Sequence, residues 1–503
     1  MRYLPDGIQM KRADEYTIRN IGIPSVVLME RAAFQTVAVM RSRKVDVSRA
    51  LVVCGSGNNG GDGFAVARLL AEAGEEPEIL FAGREGSLSE ECRLQKEVAQ
   101  KMGIRIYTEQ PEKEYTVIID AVFGVGLSRE ITGRYLEVIE WMNSRRCSKV
   151  AIDIPSGVCA RTGKILGTAF RAELTVAMAC VKAGCEWFPG KEYAGRTVPV
   201  PIGIDTARFG TDPDVCVTFD RADISRMLPP RRPDSHKGTY GKVLMITGSS
   251  GMAGAAYLSA KAAYSVGAGL VQIYTHEDNR AVLQQLLPEA IISCYRDYNE
   301  EQLNKLTGWA DVVCIGCGLG RSETAARMLG YIMECTDKPC VVDADGLNLL
   351  SENMELLERA KAPLILTPHM KEMSRLAGCD VRTLKDRRMD ILKAFGDRYP
   401  AVCVLKDSRT AVYETGRHPF VNLAGNSAMA KGGAGDVLAG VITGLLAQGM
   451  GCYESASLGV YLHACGGDEA RRRKGSYSVL AGDLIAGIET VTANEEEKKD
   501  DRA

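Results

Sequence analysis

Residues 425–444 read GNSAMAKGGAGDVLAGVITG. The small residues Gly432, Gly433, Ala434 and Gly435 run into Asp436. Val437, Leu438, Val441, Ile442 and Leu445 then recur at helical spacing. Glycine lets the backbone turn tightly and leaves room for a ligand. The free N–H groups at a helix start attract an anion. A carboxylate at that end can take a proton while the amides hold a phosphate. The plainer reading makes Asp436 an N-cap. The surrounding strands decide between the two.

Six apolar strands precede or flank this loop: residues 243–246, 270–274, 312–315, 341–342, 364–366 and 402–405. Most end in polar or glycine segments: TGSSGMAGAAY, GCGLG, DADGLNLL, TPHMKEM and KDSRT. Strands alternating with helices predict a large doubly wound sheet with one long binding edge. The run AAYLSAKAAYSVGAGLV is so rich in small residues that it predicts a helix packed closely on that sheet.

The first half repeats the pattern. Residues 9–42 read as helical, with Ser25 as a cap for SVVLMERAAFQTVAVM. Strand 51–53 runs into GSGNNGGDG, and FAVARLLAEAG reads as a helix ending at Gly74. The loop is neither the dinucleotide fingerprint nor a Walker A sequence. It carries Asn58, Asn59 and Asp62, which supply hydrogen bonds and oxygen ligands that a bare phosphate cradle does not need. Strand 117–119 ends in Asp120 and a flexible loop from Gly124 to Glu130. Strand 150–152 ends in Asp153, Pro155, Ser156 and Gly157. Ligands of open parallel sheets collect outside the carboxyl ends of the strands, so the three loops are expected to face one pocket. Asn59, Asp120 and Ser156 offer only oxygen there. A metal would be hard: potassium, calcium or magnesium rather than zinc.

At 503 residues the chain exceeds one ordinary core. Residues 205–235 are rich in Pro, Gly and charge, which predicts an α/β domain over 1–217, a second over 218–492 and a charged, solvated tail over 493–503. A net charge of −2 gives no basic footprint for nucleic acid or an anionic membrane. No apolar run reaches the length of a span, and the N-terminus has no apolar h-region. The 16 cysteines are scattered, which suits reduced thiols in a cytoplasm. Cys314 and Cys317 form one C-x-x-C without a second pair, and the histidines do not cluster, so no structural zinc is expected.

Taken together, the motifs resemble the bifunctional NAD(P)H-hydrate repair family over nearly the full length. GSGNNGGDG, DAVFGVGLSRE and DIPSGV resemble its epimerase half. HKGTYGKVL, GCGLG, DADGLNLL, TPHMKEM and GGAGDVLAG resemble its ADP- or ATP-dependent dehydratase half. The resemblance implies a Rossmann-like three-layer sandwich followed by a larger ribokinase-like domain. It implies interconversion of R and S hydrates of NADH and NADPH and dehydration of the S form. It places the N-terminal substrate on Asn58, Asn59, Gly60, Gly61 and Asp62, on Gly124, Val125, Gly126, Leu127, Ser128, Arg129 and Glu130, and on Asp153. A potassium ion falls on Asn59, Asp120 and Ser156. Asp153 or Asp62 handles the proton.

In the second half the resemblance places the hydrate on Ala255, Gly320, His369 and Asp436. The nucleotide falls on Lys406, Asp407, Ser408, Arg409, Thr410 and Gly435, with Mg²⁺ bridging its phosphates. Asp436 is the catalytic base, and the loop amides of residues 433–435 stabilise the transferring phosphoryl group. A cytoplasmic homo-oligomer is implied. The chain departs from the family pattern at Cys317, Met370, Lys371, Asp407 and Ala434, and Asp407 puts a negative charge beside the expected diphosphate. On its own, His369 reads equally as a turn residue. The rival reading is a ribokinase-like small-molecule kinase carrying a non-catalytic nucleotide-binding module.

Overall fold

The computed structural model describes residues 1–500 and divides them into two compact units. One runs from Tyr3 to Cys216; the other runs from Val217 onward and includes Met1 and Arg2. A short strand, β1 (Arg2–Leu4), opens the chain. The first unit then holds β2 (Ala50–Cys54), β3 (Glu78–Phe81), β4 (Ile106–Tyr107), β5 (Val117–Ala121), β6 (Ser148–Ile152), β7 (Leu174–Met178) and β8 (Arg196–Val200). They form a seven-stranded parallel sheet in the order β4-β3-β2-β5-β6-β7-β8.

Alternate residues of these strands face opposite ways, so each strand feeds two cores. Val52, Cys54, Ile119 and Ile152 join one cluster with residues of the helices Ser25–Ser42 and Asn58–Glu72. Leu51, Val53, Ile118 and Ala151 join the other with the helix Arg134–Ser144. The result is a three-layer, doubly wound sandwich. The chain reverses its direction across the sheet between β2 and β5, which opens the crevice where such folds bind ligands.

Two local expectations are corrected here. The stretch 9–42 is not one helix: helix Gly7–Tyr16 passes into a π-turn, Thr17–Ile21, and a second helix starts at Ser25. Pro24 occupies the N-cap, and the Ser25 hydroxyl donates to Glu91 instead. The GSGNNGGDG stretch is not a loop throughout, because its helix already begins at Asn58. The glycines permit close approach. A Cβ on Gly60 would lie 2.1 Å from the Gly55 carbonyl oxygen, and one on Gly63 would lie 2.5 Å from the Ala121 Cβ.

The second unit contains β9 (Cys216–Thr218), β10 (Lys242–Ile246), β11 (Leu270–His276), β12 (Ile291–Tyr295), β13 (Val312–Ile315), β14 (Cys340–Val342), β15 (Leu364–Leu366), β16 (Ala401–Leu405), β17 (Ala411–Tyr413) and β18 (Phe420–Val421). They lie in the order β9-β18-β17-β16-β15-β14-β13-β10-β11-β12. From β12 to β16 every pairing is parallel, but β16–β17 and β17–β18 are antiparallel. Residues 406–410 therefore form the turn of a hairpin. Again the direction reverses at one point, between β10 and β13.

The small-residue helix Ala253–Ser265 makes its closest approach to the helix Ala434–Ala447 rather than to the sheet. A Cβ on Gly440 would sit 2.1 Å from the Ser259 carbonyl oxygen. The charged run expected as a tail from residue 493 continues the helix Ala481–Asp500, and Glu495 is buried; positions 501–503 of that run lie outside the described residues. No helix among the described residues is long and apolar enough to cross a membrane.

Candidate active sites

In the first unit a cavity of about 970 Å³ opens at the crevice between β2 and β5. Asn58, Asn59, Asp62, the stretch from Gly124 to Arg129 and Asp153 line it; Gly60, Gly61 and Glu130 do not. Gly60 and Gly61 are buried in the helix packing, and Glu130 is exposed.

Asp120, at the end of β5, is fully buried. Its carboxylate accepts from the Ser156 hydroxyl at 2.7 Å, the Ser156 amide at 2.7 Å and the Val122 amide at 3.1 Å. Ser156 Oγ in turn accepts from the Phe123 amide at 2.8 Å. Burial outweighs these bonds and pushes the Asp120 carboxyl up to about 6. Asn59 is buried, and its amide nitrogen has no hydrogen-bond partner. A Cβ on Gly124 would lie 3.3 Å from Asn59 Cβ, so the two loops touch.

Asp153 stands just past β6 with φ +69°, a left-handed conformation costly for a non-glycine residue. Its carboxylate accepts from the Met178 amide at 3.0 Å and is ion-paired with Lys182, whose side chain is wholly buried and donates to the Met178 carbonyl at 2.9 Å. Asp62 is half-buried, and burial, then Asp153 and Asp14, hold its carboxyl well above the ordinary range. Asp14, on the helix Gly7–Tyr16, is raised by burial and then by Asp153. Sequence reading missed Asp14 and Lys182. Asp14 lies in an ordinary charged helix. A lysine within VKAGCEW was the one available signal, because lysine is seldom fully buried without a partner.

In the second unit the parallel strands bring Asp343, Thr367 and Lys406 to one edge, just past β14, β15 and β16. Asp343 is buried; it accepts from Lys406 Nζ at 2.5 Å and from Thr367 Oγ1 at 2.7 Å. Burial opposes the charge on Lys406, but Asp343 and Glu372 outweigh it and raise its pKa. Lys406 is thus turned inward rather than solvated. Gly433, with φ +88°, caps the helix Ala434–Ala447. Asp436 is therefore not the N-cap; it lies in the first turn, half-buried. Burial, then the Asp343 carboxylate, pushes its own carboxyl up to about 6. A Cβ on Gly435 would lie 3.6 Å from Lys406 Nζ and 3.8 Å from Asp343 Oδ2, which sets the helix start against the acid–lysine pair.

The segments holding Ala255 and Gly320 meet at the reversal point. Gly318 packs on Ala255, Ser249 donates its amide to the Gly318 carbonyl at 2.6 Å, and the Gly320 amide donates to Asp345 at 2.9 Å. His369 caps the helix Met370–Leu376: its Nδ1 accepts from the amides of Lys371 and Glu372, both at 3.1 Å. The Lys406 amide donates to the Pro368 carbonyl at 2.8 Å, so His369 stands beside Lys406. Burial and then Lys406 lower the His369 pKa. Asp407 faces Arg388 at 3.2 Å, which offsets the charge that the sequence had put beside a diphosphate. Arg388 and His463 were missed. His463 is buried in the helix Cys452–Lys474, and burial lowers it to about 4.

Each unit thus places acids and amides at the carboxyl edge of an α/β sheet, the arrangement of a two-domain nucleotide-handling enzyme. Residues 243–490 match the family described as NAD(P)H-hydrate dehydratase, and residues 25–184 match the YjeF-related protein N-terminus. The bifunctional NAD(P)H-hydrate repair enzyme of Moorella thermoacetica is 34% identical over 518 residues, covering 99% of this chain and 98% of that protein. That of Escherichia coli K12 is 34% identical over 488 residues, covering 96% of this chain and 92% of its own length. A ribokinase-like superfamily protein of Enterococcus faecalis superposes with a TM-score of 0.50 at 27% identity, over 55% of this chain and 95% of its own. The chain belongs to the bifunctional NAD(P)H-hydrate repair enzyme family.

Proposed function

We propose that the first unit interconverts the R and S hydrates of NADH and NADPH through Asp62 and Asp153, and that the second dehydrates the S form through Asp436. Family membership makes the chain an enzyme with an epimerase and a dehydratase half. The observation that carries the dehydratase assignment is Asp436 itself. It is a carboxyl pushed to about 6, in the first turn of a glycine-capped helix that opens beside Lys406. A base poised there is ionised at neutral pH yet basic enough to accept a proton.

Asp436 takes the proton of the hydrate hydroxyl as its oxygen attacks the terminal phosphoryl group of ADP or ATP, which would be brought with Mg²⁺, and AMP or ADP leaves with the electrons of the broken P–O bond. The amides of residues 433–435 and the Lys406 ammonium stabilise the charge that develops. The phosphate then leaves carbon with the C–O electron pair, driven by the ring nitrogen lone pair. The neighbouring ring proton passes to the departing phosphate or to water, and its C–H electron pair restores the 5,6 double bond. The nucleotide contacts fall to the hairpin from Lys406 to Thr410 and to Gly435, and the hydrate contacts to Ala255, Gly320 and His369.

In the first unit Asp153 already holds an ion pair with Lys182, whereas Asp62 has its carboxyl raised. This supports Asp62 as proton donor and Asp153 as its partner base. A potassium ion fits Asn59, Asp120 and Ser156. The donors are oxygens, and Asp120 is a buried carboxylate without a paired cation among the described residues. The ion would supply fixed positive charge beneath the substrate phosphates. The protein works in the cytoplasm as a homo-oligomer.

The test is recovery of NADH absorbance from a mixture of R and S hydrates with K⁺, Mg²⁺ and either ADP or ATP. Full recovery with one nucleotide is expected and identifies the donor. Recovery of the S fraction alone would remove the epimerase assignment. No recovery with either nucleotide would return the second unit to kinase chemistry on a small alcohol.

A further inference from the structure

Cys317 lies in the turn after β13 and is fully buried. Its Sγ lies 3.8 Å from Asp343 Oδ2. That sulfur and one carboxylate oxygen each from Asp343 and Asp436 all fall within 4.8 Å of one another. Two carboxylates this close repel, and a buried pair resists holding two negative charges. The thiol between them has one proton and can donate it to either oxygen.

We infer that Cys317 is a positioning residue for dehydration: its S–H is shared between the Asp343 and Asp436 carboxylates and holds Asp436 ready to act as the base. The inference rests on the reading of Asp436 as that base.

The groups around Asp436 come from four segments. Asp343 and Asp345 follow β14, Lys406 follows β16, Cys317 follows β13, and His463 lies on the helix Cys452–Lys474. Asp343 and Asp345 oppose ionisation of Asp436, while Lys406 and the Cys317 thiol favour it. Lys406 is already committed to Asp343 at 2.5 Å. The thiol donates to Asp343 Oδ2 across a long 3.8 Å, and it is the neutral donor that Asp436 can share. Hydrogen bonding with Cys314, burial and the nearby acids all hold Cys317 in the thiol form, so it retains the proton this role needs. No redox step is involved.

The experiment is the pH profile of kcat for dehydration of the S hydrate by the full chain and its Cys317→Ala, Cys317→Ser and Asp436→Asn variants, each with its KM and melting temperature. In Cys317→Ala the acid limb should move up by about one pH unit with KM nearly unchanged. Cys317→Ser keeps a donor, a stronger one, and should hold the limb at or below its wild-type position. A residue that merely filled space would leave the limb unmoved in both. An unchanged limb in the Ala variant, or equal upward shifts in Ala and Ser, overturns the inference while leaving the base assignment standing. Activity retained in Asp436→Asn overturns both. Should Cys317→Ala fail to fold, Cys317→Val against Cys317→Thr makes the same comparison at nearly constant volume.

Discussion

Asp436 and Asp62 are both acids raised by burial and by a neighbouring carboxylate, yet they are placed for opposite work. Asp436 sits at a helix start beside Lys406, and as the proposed base it would act once ionised. Replacing it with Asn should lower dehydration kcat by about 10²- to 10⁴-fold, the usual range for a lost general base. Wild-type dehydration should fall as pH drops through about 6, where the carboxyl is protonated and cannot accept a proton. Asp62 holds its proton to higher pH, so epimerisation should persist where an ordinary carboxyl has ionised and fail in Asp62→Asn. Chromatographic separation of the epimers measures this directly. Lys182→Met should also slow epimerisation, because it leaves Asp153 in a left-handed conformation without its buried cation. Rescue by Lys182→Arg is not expected: Lys182 is fully buried, and a planar guanidinium does not reproduce a buried ammonium's contacts.

The elements are set by close approach. The helix Ala434–Ala447 can bring its N-terminus to the sheet edge because Gly440 lets it lie directly on Ser259. Gly440→Ala forces a methyl to 2.1 Å from a backbone oxygen. It should cost about 1–3 kcal/mol and lower the second unit's melting temperature by several degrees. The same helix motion should weaken nucleotide binding, measured by calorimetry with ADP and ATP. In the first unit the turn holding Asp120 and Ser156 should be stabilised by K⁺. Raising K⁺ against an Na⁺ control should raise the thermal midpoint of the wild type and have little effect on Asp120→Asn. Equal responses in the two proteins would remove the ion site.

Across the whole molecule, each half carries its own sheet, reversal point and acids. Loss of one chemistry should therefore spare the other. The Asp436→Asn protein should still equilibrate R and S hydrates, and the Asp62→Asn protein should still consume the S fraction it is given. Epimerisation lost in Asp436→Asn would show that the two halves do not work independently.

The order of apolar strands and the polar residues at their carboxyl ends were legible in the chain, because both follow from local patterning. Alternation and run length define a buried strand, and glycine with Asp or Asn marks where it ends. Hence Asn59, Asp120, Ser156 and Asp436 stood out before any fold was known. Local patterning does not reveal which distant residue answers a buried charge. Lys182 against Asp153, and Asp343 with Cys317 around Asp436, depend on segments that follow different strands of one sheet, and Arg388 meets Asp407 across β16, from the helix before it to the turn after it. The same limit hid the helical start at Asn58, where glycines that read as a loop are held in a helix by packing on Gly55 and Ala121. Spacing along the chain selected the reactive groups, whereas their proton affinities came from burial and from neighbours that only the folded sheets bring within a few ångströms.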